Sequence, residues 1–136
     1  MKLLLDTNII IDVLTKRGGY EESLALIRHC ELGRADGFIS ATTVTDVVYI
    51  LRKHIPPASV RDTVQTLLVI VDVAGVLKGD ISAAFLSKMR DFEDAVQSAC
   101  ALRIGAEYIV TRNLKDFEQS PVPAISPGAM LDILGK

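Results

Sequence analysis

The opening run Lys2-Leu3-Leu4-Leu5, followed at once by Asp6-Thr7-Asn8, leaves few folds open to this chain. Three consecutive leucines cannot turn one face to water. The run therefore reads as a short strand buried on both faces, as in a parallel sheet covered by helices. Asp6 then stands at the carboxyl end of that strand, and open α/β sheets bind ligands in the crevice outside that end. Thr7 and Asn8 place short polar groups where a helix would start,. Taken alone, Asp6 serves equally well as a helix cap. The choice depends on whether other acids fall at matching ends of other elements.

The rest of the chain alternates between helical and strand-like stretches. Ile9, Ile10, Val13 and Leu14 recur at helical spacing, and Lys16-Arg17-Gly18-Gly19 predicts a helix end of basic residues followed by a left-handed glycine,. A second helix is expected over residues 20–34, with Leu24, Ile27 and Leu32 inward,. Asp36-Gly37 reads as a turn and Phe38-Ile39-Ser40 as a second strand,. Residues 41–51 are rich in β-branched side chains, which propensity would accept as a strand,. Val44, Val47, Val48, Leu51 and Ile55 nevertheless share one helical face, so a helix is expected, ended by Pro56-Pro57,. A helix from about Ser59 to Ile70 and a strand at Val71-Asp72-Val73 follow. Asp80 then opens a helix carrying Ile81, Ala84, Phe85 and Met89, and the helix over residues 95–103 stops at Gly105,. Residues 107–111 form a fourth strand, residues 112–117 its exit loop, and Ala124-Ile125 a short last strand. Ser126 caps a final helix with Pro127 at its first position,. No repeat, low-complexity segment or linker interrupts this order. A single domain over residues 1–136 is expected, with a parallel sheet between helix layers,.

Composition narrows the function classes. With 24% charged and 49% apolar residues, the chain should fold rather than stay disordered,. A net charge of −2 excludes a protein that holds nucleic acid by charge alone, but not a nuclease, whose acids cancel basic residues in the sum,. Cys30 and Cys100 have no CxxC spacing and are expected to be buried free thiols,. Asp6 and Asp12 break the leader-like start,. The apolar run from Leu67 to Leu77 is broken by Asp72 and is too short to span a bilayer,. No membrane partner and a cytoplasmic location are expected. His29 and His54 have no partner histidine at ligand spacing and read as ordinary helix residues,.

Acids do recur near element ends: Asp6, Asp46, the pair Asp91 and Asp94, and Asp116. Asp91 suits a helix N-cap, which puts Asp94 in the first turn, where the helix dipole favours its charge,. Asp46 lies mid-helix between valines, where aspartate is a poor helix former,. A solvated flank is its ordinary explanation. If several of these groups converge, two carboxylates about 4 Å apart repel by about 4 kcal/mol at an effective dielectric of roughly 20. Such a cluster must take up protons or bind cations. Carboxylate oxygens without histidine or cysteine suit magnesium or manganese, and the chemistry these ions serve best among bare carboxylates is phosphodiester hydrolysis. No Ser-His-Asp set and no glycine-rich phosphate loop competes with that reading,.

At this point the chain resembles the PIN-domain family. Leu3-Leu4-Leu5-Asp6-Thr7-Asn8 resembles the family's first strand and first acid. Asp94-Ala95, a helix of small residues, Gly105, and Ile109-Val110-Thr111-Arg112-Asn113 with Asp116-Phe117 resemble its closing half. The resemblance covers nearly the whole chain. It implies a three-layer α/β/α sandwich around about five parallel strands, and metal-dependent ribonuclease activity. For small members it also implies the toxin of a VapBC-type toxin–antitoxin pair, with a small DNA-binding antitoxin partner and a homodimer. By position, Asp6 and Asp94 are the expected ligands of Mg2+ or Mn2+. Asp46 stands where the family commonly has glutamate, one methylene longer. Asn113 stands where many members have a fourth aspartate, and Asp116, one turn further, is expected to substitute through a water. The expected catalytic acids are thus Asp6, Asp46, Asp94 and Asp116. Thr7, Asn8 and Thr111 would orient ligands or water, and Arg112, Asn113 and Lys115 would lie nearest the RNA. Lys16-Arg17 and Lys88 with Arg90 are basic candidates further out. The departures at Asp46 and Asn113 keep a second reading open, a catalytically weakened module of the same fold that binds RNA or a protein partner. A receiver-type phosphoacceptor domain would need an acidic pair near the first strand, and the opening supplies one acid.

Overall fold

The computed structural model describes residues 1–135. Five strands, β1 (Lys2–Leu5), β2 (Asp36–Ser40), β3 (Asp72–Ala74), β4 (Tyr108–Val110) and β5 (Ala124–Ile125), form one sheet. Among the described residues the helices are α1 (Thr7–Thr15), α2 (Tyr20–Glu31), α3 (Ala41–Leu51), α4 (Pro57–Ile70), α5 (Lys78–Leu86), α6 (Phe92–Ile104) and α7 (Pro127–Leu134), with a 3-10 turn at Leu114–Phe117. Every strand pair is parallel, in the order β3-β2-β1-β4-β5. Parallel neighbours need crossovers, and the intervening helices supply them on both faces. The result is the expected α/β/α sandwich.

The leucine run lies at the centre of this arrangement. Leu3, Leu4 and Leu5 are all fully buried. Side chains alternate across a strand, so Leu3 and Leu5 enter the core shared with Ile9, Ile10, Leu26 and Met130, while Leu4 packs on the other face with Ala101, Ile109 and Phe117. Burying each leucine stabilises the fold by about 1.5–3 kcal/mol. From β1 the chain steps outward through β2 to β3, then crosses back to β4 and β5. The winding direction therefore reverses between β1 and β4, and a crevice opens outside their carboxyl ends. The Asp6 amide donates to the Val110 carbonyl at 3.0 Å, which ties the two strand ends together.

Several local expectations change. Asp36-Gly37 is not a turn but the start of β2, with Lys2 opposite Asp36 and Leu3 opposite Gly37. A side chain at Gly37 would put its Cβ 2.8 Å from Cys30 Sγ and 3.2 Å from a Val71 methyl, so packing against α2 requires this glycine. Helix α1 closes on Lys16 in the left-handed region (φ 53°) rather than on glycine, and Gly19 (φ 82°) instead precedes α2. Helix α2 stops at Glu31, short of Arg34. Pro57 lies in the first turn of α4, where its missing N–H costs nothing,. Asp80 lies inside the first turn of α5, its Oδ2 accepting from the Leu77 amide at 2.9 Å. Met89 falls beyond that helix, and His54 lies in a turn. Strand β3 runs one residue later than expected. The β-branched segment of residues 41–51 is helical, with Ser40 Oγ accepting from the Thr43 amide at its start. Cys30 and Cys100 are buried free thiols in separate core clusters. No helix among the described residues is long and apolar enough to cross a membrane.

Candidate active site

Asp6 ends β1 in the crevice where the winding reverses, and its side chain is 2% exposed. A carboxylate so buried needs donors. Gln97 Nε2 donates to Oδ1 at 3.0 Å, and Thr111 Oγ1, from the residue after β4, donates to Oδ2 at 2.9 Å. Burial raises the Asp6 carboxyl above its ordinary value, and these two bonds only partly offset it. Gln97 accepts the Thr7 amide on its Oε1 at 3.3 Å, satisfying an N–H at the start of α1,. The same Gln97 Nε2 reaches Asp94 Oδ1 at 3.5 Å. One amide nitrogen thus spans Asp6 and Asp94, and their oxygens can be no further apart than its two reaches end to end.

Helix α6 sets the second half of the site. Asp91 caps it, Oδ1 accepting from the Asp94 amide at 2.9 Å. Asp94 and Gln97, three residues apart, therefore share the face turned toward β1. Burial pushes the Asp94 carboxyl up to about 7, helped by repulsion from Asp6, Asp91 and Asp116. Glu93 is pushed up to about 8 by burial and then by Asp46, to which its protonated form donates and whose charge opposes its own. Thr7 Oγ1 lies 2.7 Å from Thr43 Oγ1 and 3.4 Å from Glu93 Oε1, so it links α1, α3 and α6.

Asp6, Asp46, Asp91, Glu93, Asp94 and Asp116 all line one pocket of about 360 Å³, with Thr7, Asn8 and Tyr49 beside them. Among the described residues no lysine, arginine or histidine lines it. The structure therefore brings Asp6, Asp46, Asp94 and Asp116 to one place. It adds Glu93 and Gln97, which the sequence reading did not single out. Gln97 carried one available signal, its spacing of one helical turn from Asp94; Thr43 carried none.

The other nominated residues fall into different places. Thr111 is fully buried, holds Asp6, and accepts the Asn113 amide at 3.0 Å. Asn113 is exposed at the start of the 3-10 turn and does not line the acid pocket. Arg112 does not face that pocket either. Its Nη1 donates to Asp12 Oδ2 at 2.7 Å, pairing with an aspartate that is 5% exposed on α1. A Cβ on Gly19 would stand 3.0 Å from Arg112 Nη2, so the glycine admits the guanidinium as well as its own positive φ. Arg17 approaches the same Asp12 at 3.8 Å. Lys115 lines a neighbouring cavity with Lys88 and Arg90.

Donor chemistry limits what the pocket can hold. Every ionisable group in its lining save the Tyr49 phenol is a carboxylate, which suits hard divalent ions,. Among the described residues no group of three His, Cys, Asp or Glu side chains forms a ready-made metal cage. A magnesium-sized ion does not need one: it usually takes one or two protein carboxylates and completes its shell with water and substrate phosphate. The Asp6 and Asp94 pair fits that requirement.

A family model described as a PIN domain matches residues 2–115. Solved structures are similar over almost the whole chain. DNA-bound VapBC from Salmonella typhimurium aligns with 18% identity over 93% of this chain and 98% of that one, with a TM-score of 0.73. VapBC2 from Rickettsia felis, bound to a promoter DNA fragment, gives 17% identity, the same coverages and 0.72. A toxin–antitoxin complex from Klebsiella pneumoniae gives 22% identity over 92% and 97%, and 0.70. At these identities the likeness is one of fold. A search of curated proteins gave no match.

Proposed function

Because this chain belongs to the PIN-domain family, we propose that it is a divalent-metal-dependent endoribonuclease, the toxin of a toxin–antitoxin pair. The observation that carries the proposal is the joining of Asp6 and Asp94 through Gln97 in a pocket of acids at the sheet's switch point,. Asp6 and Asp94 would hold Mg2+ or Mn2+, which when bound supplies an activated water and neutralises charge on the phosphate. Gln97 and Thr111 fix the Asp6 carboxylate by three-point attachment through both of its oxygens and the adjacent Thr7 amide. Asp94, holding its proton up to about pH 7, releases it as positive charge enters the pocket,. Glu93 retains a proton near neutrality and would give it to a leaving oxygen, with Asp46 as its partner,. Glu93 thereby supplies a longer carboxylate beside the short Asp46. Asp116, rather than Asn113, is the acid contributed after β4.

The solved relatives are toxin–antitoxin complexes, which supports a protein antitoxin as this chain's partner. A homodimer acting in the cytoplasm completes the reading. The test is cleavage of labelled single-stranded and structured RNAs by the purified chain with EDTA, Mg2+ or Mn2+. The proposal expects ion-dependent cuts that Asp6→Asn and Asp94→Asn abolish. An ion-loaded wild-type protein that left the whole panel intact would refute it and favour a binding-only module. Growth arrest on expression, relieved by the product of the adjacent reading frame, tests the toxin assignment.

A further inference from the structure

We propose that the nucleotide adjoining the cleaved bond is held in a two-part track beside the acid pocket, its phosphate by Lys88, Arg90 and Lys115 and its base in an apolar cavity walled by Ser98. The assignment of the acid pocket to the cleaved phosphate rests on the function proposed above; the track itself rests on three separate observations.

The first is a cavity of mixed charge. A cavity of about 460 Å³ lies between the segment before α6 and the 3-10 turn after β4, and Lys88, Arg90 and Lys115 line it together with Asp91, Asp116 and Glu118. Asp91 and Asp116 line both this cavity and the acid pocket, so the two share a wall. The second is that the three cations have no acidic partner. Among the described residues Arg17 and Arg112 pair with Asp12, and Arg103 pairs with Asp80, but Lys88, Arg90 and Lys115 make no ion pair. An acid-lined pocket repels a polyanion. Unpaired cations one wall away supply the attraction that holds its backbone.

The third is a buried polar group without a partner. A further cavity of about 360 Å³ shares Lys88 and Gln119 with the first. Its walls are mostly apolar, with Leu86, Ala95, Ala99, Leu102 and Pro121. Ser98 also lines it and is 1% exposed, and among the described residues its Oγ has no hydrogen-bond partner. A helical serine ordinarily bonds back to the carbonyl four residues earlier, and leaving a buried hydroxyl unpaired is costly. An apolar cavity with one unmet polar group fits a flat ring with a polar edge. The acid pocket, the cavity carrying the three cations and the apolar cavity thus follow one another with common residues at each junction. An anionic group followed by such a ring is a nucleotide.

The test is fluorescence anisotropy of a short labelled single-stranded RNA in EDTA, which separates binding from cleavage. For Lys88→Ala, Arg90→Ala and Lys115→Ala, each lost phosphate contact should flatten the slope of log affinity against log salt by about 0.7. Abasic sites are then placed in turn along the RNA. One position should weaken wild-type binding several-fold, yet have no effect in Ala99→Leu, which fills the apolar cavity. Ser98→Ala should lose the same discrimination while keeping or raising its melting temperature, which separates a binding role from damage to the fold. An unchanged salt slope in the triple charge variant, or identical abasic profiles in wild type and Ala99→Leu, would overturn the track. A change in sedimentation mass of Ala99→Leu with unchanged RNA affinity would overturn it too, assigning the apolar cavity to a second copy. Normal slopes and profiles without ion-dependent cleavage would sink the nuclease reading alone.

Discussion

Asp94→Asn should stabilise the metal-free protein at alkaline pH while abolishing its ion binding. The Asp94 carboxyl is raised from 3.8 to about 7 by burial and by three neighbouring acids. The folded protein therefore holds a proton that the unfolded chain releases, and stability falls as pH rises through that window. The full shift corresponds to a ceiling of about 4 kcal/mol. Asp94 is only partly buried, and solvent screening reduces the effect to about 1–2 kcal/mol. Asparagine keeps the shape and removes the charge. In EDTA at pH 8 the variant should exceed wild type by about 1–2 kcal/mol in urea unfolding, and at pH 4 the two should coincide. Saturating Mn2+ should reverse the order, since ion at about 100 times its Kd adds about 2.7 kcal/mol to wild type alone. A variant equally or less stable than wild type at pH 8 in EDTA would refute the electrostatic argument.

Three other outcomes follow from the same geometry. Gln97→Ala leaves the Thr7 amide without its acceptor and Asp6 without one of its two side-chain donors; it should cost about 1–3 kcal/mol in urea unfolding and about 10–100-fold in divalent-ion affinity by calorimetry. Arg112→Ala leaves the buried Asp12 carboxylate with the longer 3.8 Å approach of Arg17 in place of a 2.7 Å pair; with the guanidinium partly in water, the loss should be about 2–3 kcal/mol, while RNA affinity in EDTA stays unchanged. The acid role proposed for Glu93 requires its protonated form, and its carboxyl is raised to about 8, so wild-type cleavage should decline above pH 8. Glu93→Gln should lose that decline and run about 100-fold slower, as a rate–pH profile would read.

Asp6, Asp91 and Asp94 were legible because they stand at element ends, and Asp46 because aspartate is unusual mid-helix,. Asp6 follows an unmistakable buried strand, and Asp91 and Asp94 precede a helix of small residues. Arg112 misled because nearness in sequence is not nearness in space. At the exit of a strand successive side chains point to opposite sides, so Thr111 reaches Asp6 while Arg112 crosses to Asp12. Gln97 was passed over because its one signal, a spacing of one helical turn from Asp94, gains meaning only once Asp6 and Asp94 are known to converge. Asp36-Gly37 was read as a turn because glycine there answers to the Cys30 side chain on a distant helix, not to local backbone. Lys88 and Arg90 were legible only as basic candidates distant in sequence from the site, and the fold shows them lining one cavity with Lys115.

The decisive observation is an anomalous difference map from crystals soaked in Mn2+. The account predicts a peak at coordinating distance from both Asp6 and Asp94, absent in crystals of Asp6→Asn. No peak between those carboxylates, or a peak that binds elsewhere and survives the substitution, would contradict it.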